Sequence, residues 1–326
     1  MSDSDIKPAG DARTFFCFGY GYSCDYIAHD LMQMGGWNIA GTTRDIEKKQ
    51  QLKARGFGAF LFDDKNPLTD PAYLLRDVTH VLVSTPPNDM GDPVFNVHGA
   101  DFARFPNLQW VGYLSTTGVY GDRGGEWVDE TTELCPTSKR GSRRRQAEEQ
   151  WLSLYKTDNV PVHIFRLAGI YGPGRSALDS VRAGLERRIY KEGHAFSRIH
   201  VEDIAGAILA SIAKPSPGTI YNVCDDAAAP SHEVIEHACE LLGRRVPPMV
   251  DFSAANLTGM TRSFYMDNSR VRNDKIKNDL GLALKYPDFR AGLKGCLDAE
   301  NYAAEKAREE AGVAKAAHNP MSGFKS

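Results

Sequence analysis

An apolar segment that runs directly into a glycine turn restricts the fold of this chain more than any other feature of its sequence. Residues 15–18 read FFCF, Gly19-Tyr20-Gly21 follows, and Asp25 to Met34 shows a helical pattern. A bare main chain at such a turn lets phosphate oxygens approach backbone amides, and the positive end of the helix dipole faces them. Cys24 takes the third position of this fingerprint and is small enough for close helix–strand packing. A glycine turn between any strand and helix gives the same pattern, but we predict a dinucleotide diphosphate bound by Gly19, Tyr20, Gly21, Tyr22 and Ser23.

The tip of the next strand bears on which dinucleotide fits. After residues 37–41 the chain reads Thr42-Thr43-Arg44, and Asp45 comes one position later. An NAD site usually has an acidic residue here for the ribose 2′-hydroxyl, whereas a nearby arginine accommodates the 2′-phosphate of NADP. We therefore predict NADP(H), with Arg44 as the phosphate clamp and Thr43 as a hydrogen-bond donor, and NAD remains an alternative. Arg44 could equally be a solvated arginine at the start of a helix.

Short apolar strands alternate with helical patterns along the chain. Near-continuous apolar runs rich in branched side chains indicate a parallel sheet that is buried on both faces. The fold class is therefore α/β, a doubly wound parallel sheet of the Rossmann type with a small C-terminal substrate lobe. Further strands are predicted at residues 59–62, 80–84, 108–114, 162–167 and 221–224, with a charged helix at 138–156.

Polar residues at the strand tips predict further contacts, because ligands of such a sheet bind outside the carboxyl ends of its strands. Asp63 is expected to accept a hydrogen bond from the adenine amino group, and the alternative is that it stabilises a turn. Ser84, Thr85 and Pro86 are expected to cover the adenosine and ribose side.

The same patterns divide the chain into parts. A dinucleotide-binding domain comes first, a smaller substrate lobe follows, and only the two ends have a composition typical of disorder or of a solvated tail. The expected ranges are 1–12 for a disordered N-terminus, 13–170 with 198–228 for the dinucleotide-binding domain, 171–197 with 229–300 for the lobe, and 301–326 for a C-terminal helix and tail.

Composition and charge exclude several classes of function. The net charge is −3 and the sequence pI is about 6.3, which gives no electrostatic basis for binding nucleic acid or an anionic membrane. No apolar run approaches the ~20 residues that a membrane span needs. The six cysteines form no C-x-x-C pair, so we expect reduced thiols, no metal site and a cytoplasmic protein.

Five motifs stand in one order along the chain: Gly19-x-Gly21, LSTTGVYG at 114–121, RLAGIYGPGR at 166–175, RIHVEDIA at 198–205, and Tyr221-Asn222-Val223. In this combination the chain resembles the extended or atypical short-chain dehydrogenases/reductases, in particular the NAD(P)-dependent epimerase/dehydratase group. The resemblance implies a nicotinamide cofactor and a small hydroxylated or carbonyl substrate, sugar derivatives included. It also implies a homodimer by analogy, and a catalytic Ser or Thr that corresponds to Thr116.

The catalytic pair of that family is where this sequence departs from it. The family uses Tyr-x-x-x-Lys on the helix after the fifth strand, often with a Glu four residues later. If that Glu is Glu148, Arg144 takes the place of Lys and Arg140 the place of Tyr; a shift of one residue gives Arg145 and Gly141 instead. Neither register supplies a tyrosine, and arginine cannot act as a general acid near neutral pH. The proton must then come from elsewhere, the candidates being Tyr120, Tyr113, Tyr171, His200 and water; we take Thr116, Tyr120 and Arg144 as the catalytic candidates.

Five cations crowd the start of the same helix: Lys139, Arg140, Arg143, Arg144 and Arg145. The helix dipole and mutual repulsion both oppose this arrangement. A solvated basic face explains it, and so does an anionic ligand such as a diphosphate or a carboxylate laid across the helix start. Arg144 would also reach the cofactor ribose, and substrate contacts are expected from Arg140, Tyr171 and Arg175.

Two functions from different classes follow. One is an NADP(H)-dependent oxidoreductase, epimerase or dehydratase that works without the usual Tyr-x-x-x-Lys pair. The other is a non-catalytic NADP(H)-binding sensor or regulatory protein, which retains the cleft but not the chemistry. An ionisable side chain near the nicotinamide C4 position would favour the enzyme.

Overall fold

The computed structural model describes residues 13–317, and seven parallel strands form its central sheet. The strands of the chain are β1 (Arg13–Phe18), β2 (Trp37–Thr43), β3 (Gly58–Leu61), β4 (His80–Val83), β5 (Trp110–Thr116), β6 (Trp127–Val128), β7 (Val162–Leu167), β8 (Gly169–Tyr171), β9 (Arg188–Tyr190), β10 (Arg198–His200), β11 (Ile220–Val223), β12 (Met249–Asp251) and β13 (Arg270–Val271). The helices are α1 (Tyr22–Met34), α2 (Ile46–Ala54), α3 (Pro71–Leu74), α4 (Pro93–Phe102), α5 (Lys139–Asp158), α6 (Ala177–Arg182), α7 (Val201–Ala213), α8 (Ser231–Leu241), α9 (Gly259–Phe264), α10 (Asp274–Asn278) and α11 (Phe289–Ala317).

The strand order across the sheet is β3-β2-β1-β4-β5-β7-β11, with every neighbouring pair parallel. The chain therefore winds outward in one direction from β1 to β3, then returns to the middle and winds in the other direction from β4. The predicted doubly wound α/β fold is confirmed. Its topological switch point lies between β1 and β4, where ligands of such sheets bind.

Strand β1 shows why the sheet is buried on both faces. Phe15 and Cys17 pack in the core beneath α1 and α7, whereas Phe16 and Phe18 pack on the opposite face with side chains of α4 and α5. Successive side chains of a strand point to opposite faces, so an unbroken apolar run fills two cores at once.

A third core lies outside the sheet, between α6, α8 and α11, where Leu178, Val234 and Phe289 pack together. Three two-stranded sheets lie outside the central sheet: β8 pairs with β10, β9 with β12, and β6 with β13. Helices α6, α8 and α11 thus pack on one another outside the sheet.

Two local expectations differ from the structure. The sequence shows an amphipathic segment at residues 180–192, whereas α6 spans Ala177–Arg182, because Ser176 and Asp179 form a capping box that starts the helix before that segment. The sequence of residues 249–270 looks irregular, yet β12 pairs with β9 through Met249 and Arg188. The two strands are about 60 residues apart in the chain, so the residues around β12 give no indication in the sequence that they form a strand. The expected disordered residues 1–12 and the end of the tail lie outside the described residues.

None of the helices within residues 13–317 is both long and apolar enough to cross a bilayer.

Candidate functional site

The turn after β1 is held tightly against the ends of two neighbouring strands. The Gly19 amide donates to Thr42 Oγ1 at 2.9 Å, and the Tyr20 amide donates to the Thr42 carbonyl at 2.7 Å. Gly19 has φ +82°, and a Cβ there would lie 2.9 Å from Thr85 Cγ2. Only glycine fits this position, because Thr85 in the loop after β4 contacts the turn and the backbone is left-handed. The sequence motifs did not identify Thr42 as a residue of this site, although a polar side chain at the end of a buried strand indicates such a role.

Gly21 leaves open space at the start of α1. It is the N-cap residue, no side chain caps the helix, and a Cβ added there would meet only the Gly19 carbonyl oxygen, at 3.7 Å. The first backbone amides of α1 therefore lack a side-chain partner at the cap, at the switch point between β1 and β4. These are the requirements for a phosphate site: free amides, the positive end of the dipole, and no side chain in the way.

One acidic residue lies in the first turn of α1, where it would oppose an anion. Asp25 is instead neutralised from the side, since Tyr20 Oη donates to Asp25 Oδ1 at 3.0 Å and Arg55 Nη1 donates to the same oxygen at 2.6 Å. Tyr20 is itself buried and packs against Phe57. The amide and the hydroxyl of the predicted contact residue Tyr20 thus both have partners within the protein, and Tyr20 shapes the turn.

Tyr22 connects α1 to the loop after β8. Its hydroxyl donates to the Pro173 carbonyl at 3.0 Å, and the Arg175 guanidinium lies 5.7 Å from the centre of its ring. A Cβ at Gly172 would lie 2.4 Å from Tyr22 Oη, so glycine is required for this approach. Ser23 is buried in the first turn of α1. The turn after β1 and the YGPG loop therefore form adjoining walls of one cleft.

At the tip of β2, the adjacent residues Arg44 and Asp45 differ in their contacts. Asp45 is the N-cap of α2, and its Oδ1 accepts from the amides of Glu47 at 2.7 Å and Lys48 at 3.0 Å. Thr43 Oγ1 accepts from the Asp45 amide at 3.1 Å. Arg44 is exposed and forms no ion pair within residues 13–317. The carboxylate of Asp45 is thus used to cap α2, whereas the guanidinium of Arg44 is free to bind a ligand.

The tips of β3 and β4 hold the remaining predicted cofactor contacts. Asp63 Oδ1 accepts from the amides of Lys65 at 2.8 Å and Asn66 at 2.9 Å, and hydrogen bonds from the Asn66 side chain first, then from these amides, lower the pKa of Asp63. The turn-stabilising interpretation of Asp63 therefore accounts for its observed contacts. Ser84 and Thr85 lie beside Gly19, and Pro86 is exposed at the mouth of the cleft.

The end of β5 and the start of α5 decide between the two catalytic registers. Arg144 Nη1 donates to the Leu114 carbonyl at 2.6 Å and to Tyr113 Oη at 2.9 Å, so this side chain reaches the carboxyl end of β5. Arg145 points away, to Glu149 and the Leu134 carbonyl. Gly141 is buried, and a Cβ there would lie 2.6 Å from the Gly118 carbonyl oxygen. The geometry favours the register with Arg144 in the Lys place and Arg140 in the Tyr place.

Thr116 and Tyr120 have structural partners. Thr116 Oγ1 accepts from the Gly118 amide at 3.2 Å and caps the short 3₁₀ turn Thr117–Val119, and its side chain is half-buried. Tyr120 is fully buried; its hydroxyl donates to Asn222 Oδ1 at 2.8 Å and accepts from Arg166 Nη1 at 2.9 Å. Burial raises the pKa of Tyr120 to about 12. Tyr120 is therefore placed in the interior network of Arg166 and Glu148 and not on the cleft wall.

The other proton donors that the sequence suggests are also engaged. Tyr113 lies fully buried beneath Arg144, and the Tyr171 hydroxyl packs against Gly292 of α11, with the Asp288 carbonyl at 3.4 Å. His200 Nδ1 accepts from the Glu202 amide at 3.3 Å and caps α7. Burial lowers the pKa of His200 to about 4. None of these three groups presents a free acidic proton to the switch point.

A cavity of about 530 Å³ opens beside the YGPG loop, between α6, α8 and α11. Its polar lining includes Arg175 and Arg198, and Arg198 Nη1 donates to the carbonyls of Phe196 at 2.9 Å and Ala229 at 2.7 Å. Burial raises the pKa of the nearby Asp225 to about 8 and lowers that of Arg198. The sequence motifs did not indicate this cavity, because helices far apart in the chain form its walls.

Within residues 13–317, no three His, Cys, Asp or Glu side chains come close enough together to hold a metal ion. All six cysteines are free, and five of them are buried.

Comparisons with known proteins agree with this architecture. Residues 100–224 match the model of the NAD dependent epimerase/dehydratase family. A solved structure of a functionally unknown protein from Silicibacter pomeroyi is 48% identical, with a TM-score of 0.81, and the match covers 88% of this chain and 99% of that one. Protein YeeZ of Escherichia coli K12 is 28% identical over 262 residues, 78% of this chain and 89% of YeeZ.

A more distant structure shows the same fold. The dTDP-glucose 4,6-dehydratase of Bacillus anthracis, solved in complex with NAD, is 20% identical, with a TM-score of 0.70, and the match covers 89% of this chain and 97% of that one. The resemblance predicted from the five motifs is confirmed. Residues 100–224 thus carry an NAD-dependent epimerase/dehydratase domain, within the parallel-sheet fold that this chain shares with the dTDP-glucose 4,6-dehydratase.

Proposed function

We propose that this protein is an NADP(H)-dependent oxidoreductase, in the wide sense that includes epimerases and dehydratases, acting on a small hydroxylated or carbonyl substrate. The observation that carries the proposal is the open start of α1 at the switch point, where Gly21 leaves room above free backbone amides. The NAD bound to the dTDP-glucose 4,6-dehydratase of the same fold supports a dinucleotide as the ligand.

The residues present fit such a ligand. Gly21 to Ser23 would hold the diphosphate through backbone amides at the start of α1, on the turn that Gly19 and Tyr20 form, and the sheet edge at Ser84 to Pro86 would cover the adenosine side. Arg44 and Thr43 would bind a 2′-phosphate, because Asp45 is committed to capping α2 and does not offer a carboxylate to the ribose. We propose NADP(H) over NAD(H) on this ground.

Arg144 is placed to bind the nicotinamide ribose and to orient the reacting end of the cleft. Its guanidinium is fixed by the Leu114 carbonyl and Tyr113 hydroxyl, which leaves the remaining N–H groups for a ligand. When bound, the dinucleotide supplies hydride exchange with a substrate carbon. Arg144 would stabilise negative charge that develops on the substrate oxygen, Arg140 would bind the substrate, and solvent water would deliver the proton that arginine cannot supply. Thr116 would orient that oxygen.

One observation favours the second candidate, a non-catalytic NADP(H)-binding sensor. Among the residues described, Tyr113, Tyr120 and Tyr171 each have an engaged hydroxyl, and Arg140 stands where the family has its catalytic tyrosine. Oxidation of NADPH in the presence of a panel of aldehydes, ketones and sugars separates the two. Turnover of any of them supports the enzyme, whereas tight NADPH binding without turnover across the panel supports the sensor.

The substitution Gly21→Val tests cofactor binding at the proposed place. The added side chain meets no atom closer than 3.7 Å at its Cβ, so the variant should fold with an unchanged thermal midpoint. Its branches would occupy the space of the diphosphate, and we expect binding of NADPH and NADH to be lost in calorimetry. A folded Gly21→Val protein with wild-type affinity would overturn the proposed site.

The packing also supports a proposed division of the chain. The cores on the two faces of the sheet come mainly from residues 13–170 and 198–228, with Val271, Ile276 and Leu280 added to one of them, and the core of α6, α8 and α11 comes from residues 171–197 and 229–300. We propose these ranges as the dinucleotide-binding part and the substrate lobe.

A further inference from the structure

Three arginines converge on the mouth of the cleft without a carboxylate partner. Arg140 and Arg144 lie one turn apart at the start of α5, and Arg175 follows the YGPG loop. Within residues 13–317 none of the three forms an ion pair, whereas their neighbours Arg143 and Arg145 pair with Asp89 and Glu149. The basic run at 139–145 is therefore split: two arginines are neutralised by acids of the protein, and two face the cleft.

Fixed contacts hold two members of this arginine cluster in place. Arg144 is held by the Leu114 carbonyl and the Tyr113 hydroxyl, at 2.6 and 2.9 Å. Arg175 lies over the ring of Tyr22, whose hydroxyl is bonded to the same loop at Pro173. The side chain of Arg140 makes no hydrogen bond or ion pair within residues 13–317, and the residue is only partly shielded from solvent, so its guanidinium is available for a ligand.

This arrangement is unfavourable as it stands. The cleft desolvates Arg140, and the charges of Arg144 and Arg175 add repulsion, so that the pKa of Arg140 is lowered. The start of α5 is also the positive end of a helix dipole. Asp92 interacts electrostatically with Arg144. This carboxylate is fully buried, and its Oδ1 caps α4. An oxyanion bound between Arg140 and Arg175 would offset all of these costs.

Arg175 also lines the cavity of about 530 Å³, so the cluster and the cavity adjoin. Apolar side chains form much of the cavity wall: Ile170, Ala177, Val234, Ile235, Phe289 and Leu293. We propose that the substrate is an organic anion, whose carboxylate or phosphate group is bound by Arg140 and Arg175 and whose apolar body enters this cavity. The inference rests on the proposed function in that it names the substrate class of the same cleft.

Binding of small probes to the full-length protein tests this inference. Calorimetry would measure phenylacetate, phenyl phosphate, inorganic phosphate and the neutral 2-phenylethanol against wild type saturated with NADPH, so that the dinucleotide phosphate sites are filled. The same titrations would use the double variant Arg140→Gln/Arg175→Gln. The matched control is Arg143→Gln/Arg145→Gln, which removes two charges of the same helix start that point away from the cleft.

We expect phenylacetate or phenyl phosphate to bind wild type and the control equally, and the Arg140→Gln/Arg175→Gln protein at least tenfold more weakly. The tighter of the two probes identifies the oxyanion as carboxylate or phosphate, and inorganic phosphate binding more weakly than phenyl phosphate supports the role of the cavity. Equal affinity in both double variants, equally tight binding of 2-phenylethanol, or no anion binding by a protein that binds NADPH would overturn the inference. If NADPH fails to bind but the anion binds in an Arg140- and Arg175-dependent way, the cofactor proposal fails and this inference stands.

Discussion

Neighbouring residues at one strand tip have different tasks in this protein, and Arg44 and Asp45 are an example. Asp45 accepts two amide hydrogen bonds and starts α2, whereas Arg44 remains exposed and unpaired within the described residues. Sequence alone places both at the tip of β2 and leaves open which of them meets the ribose. The cap contact resolves this competition, because a carboxylate bonded to two amides is oriented toward the helix.

The proposed role of Arg44 predicts a selective loss. The substitution Arg44→Ala removes a charge-assisted contact to a 2′-phosphate, and such contacts are worth about 1.5–3 kcal/mol. We expect the affinity for NADPH to fall by about 10- to 150-fold and the affinity for NADH to change little. Calorimetry with both cofactors measures this, with Arg145→Ala as the control. Equal losses for NADPH and NADH would remove the preference for NADP.

Two contacts set the position of helix α5 against the sheet. Gly141 allows the helix start to approach the Gly118 carbonyl, and Glu148 forms a buried ion pair with Arg166 of β7, at 2.8 Å. The side chains of this pair are 3% and 2% exposed, and Ser115 Oγ also donates to Glu148. Together the two contacts place Arg140 and Arg144 on the cleft.

Adjacent glutamates of α5 offer a matched comparison. Glu148→Ala leaves the Arg166 charge buried without its partner, and breaking a buried pair in this way costs about 3–5 kcal/mol. Glu149→Ala removes a pair with Arg145 that is 47% and 64% exposed, where about 0.2–1 kcal/mol is at stake. Urea unfolding of both variants should show a much larger loss for Glu148→Ala. Similar free energies of unfolding would mean that the buried pair does not anchor the helix.

At the scale of the whole molecule, buried histidines make stability depend on pH. His80 lies between Trp37 and Trp110, with ring centres 4.9 and 6.4 Å away, at the edge of the sheet opposite the cleft. Burial, followed by the charge of Arg13, lowers the pKa of His80 to about 4. The folded state thus resists protonation that the unfolded chain accepts. Stability from this residue is full above about pH 6.5 and is lost as the pH falls toward 4.

Two buried carboxyl groups change the pH dependence of stability in the opposite direction, so the test must separate the contribution of His80 from theirs. Burial raises the pKa of Asp92 to about 6 and that of Asp225 to about 8, and their contributions grow as the pH falls. The difference in free energy of unfolding between wild type and His80→Phe cancels these shared groups. We expect this difference to move in favour of His80→Phe by about 3 kcal/mol between pH 6.5 and pH 4.

Chemical denaturation at several pH values measures that difference. His29→Phe is the control, because His29 is exposed on α1 and should show no comparable movement between the same pH values. A pH-independent difference between wild type and His80→Phe would contradict the assignment of a buried, neutral imidazole at the base of the sheet.

The sequence alone was enough to predict the parallel sheet, the glycine turn and a site at the strand tips, because alternation of apolar runs and the need for a bare backbone are properties of neighbouring residues. It also predicts that no tyrosine stands in the family's catalytic place. The folded structure was needed to show that Arg144 and not Arg145 reaches β5, that Tyr120 lies in a buried network, and that Arg175 lines the cavity. These outcomes depend on contacts between elements distant in the chain, such as α5 with β7 and α6 with α11, and on the desolvation that those contacts create.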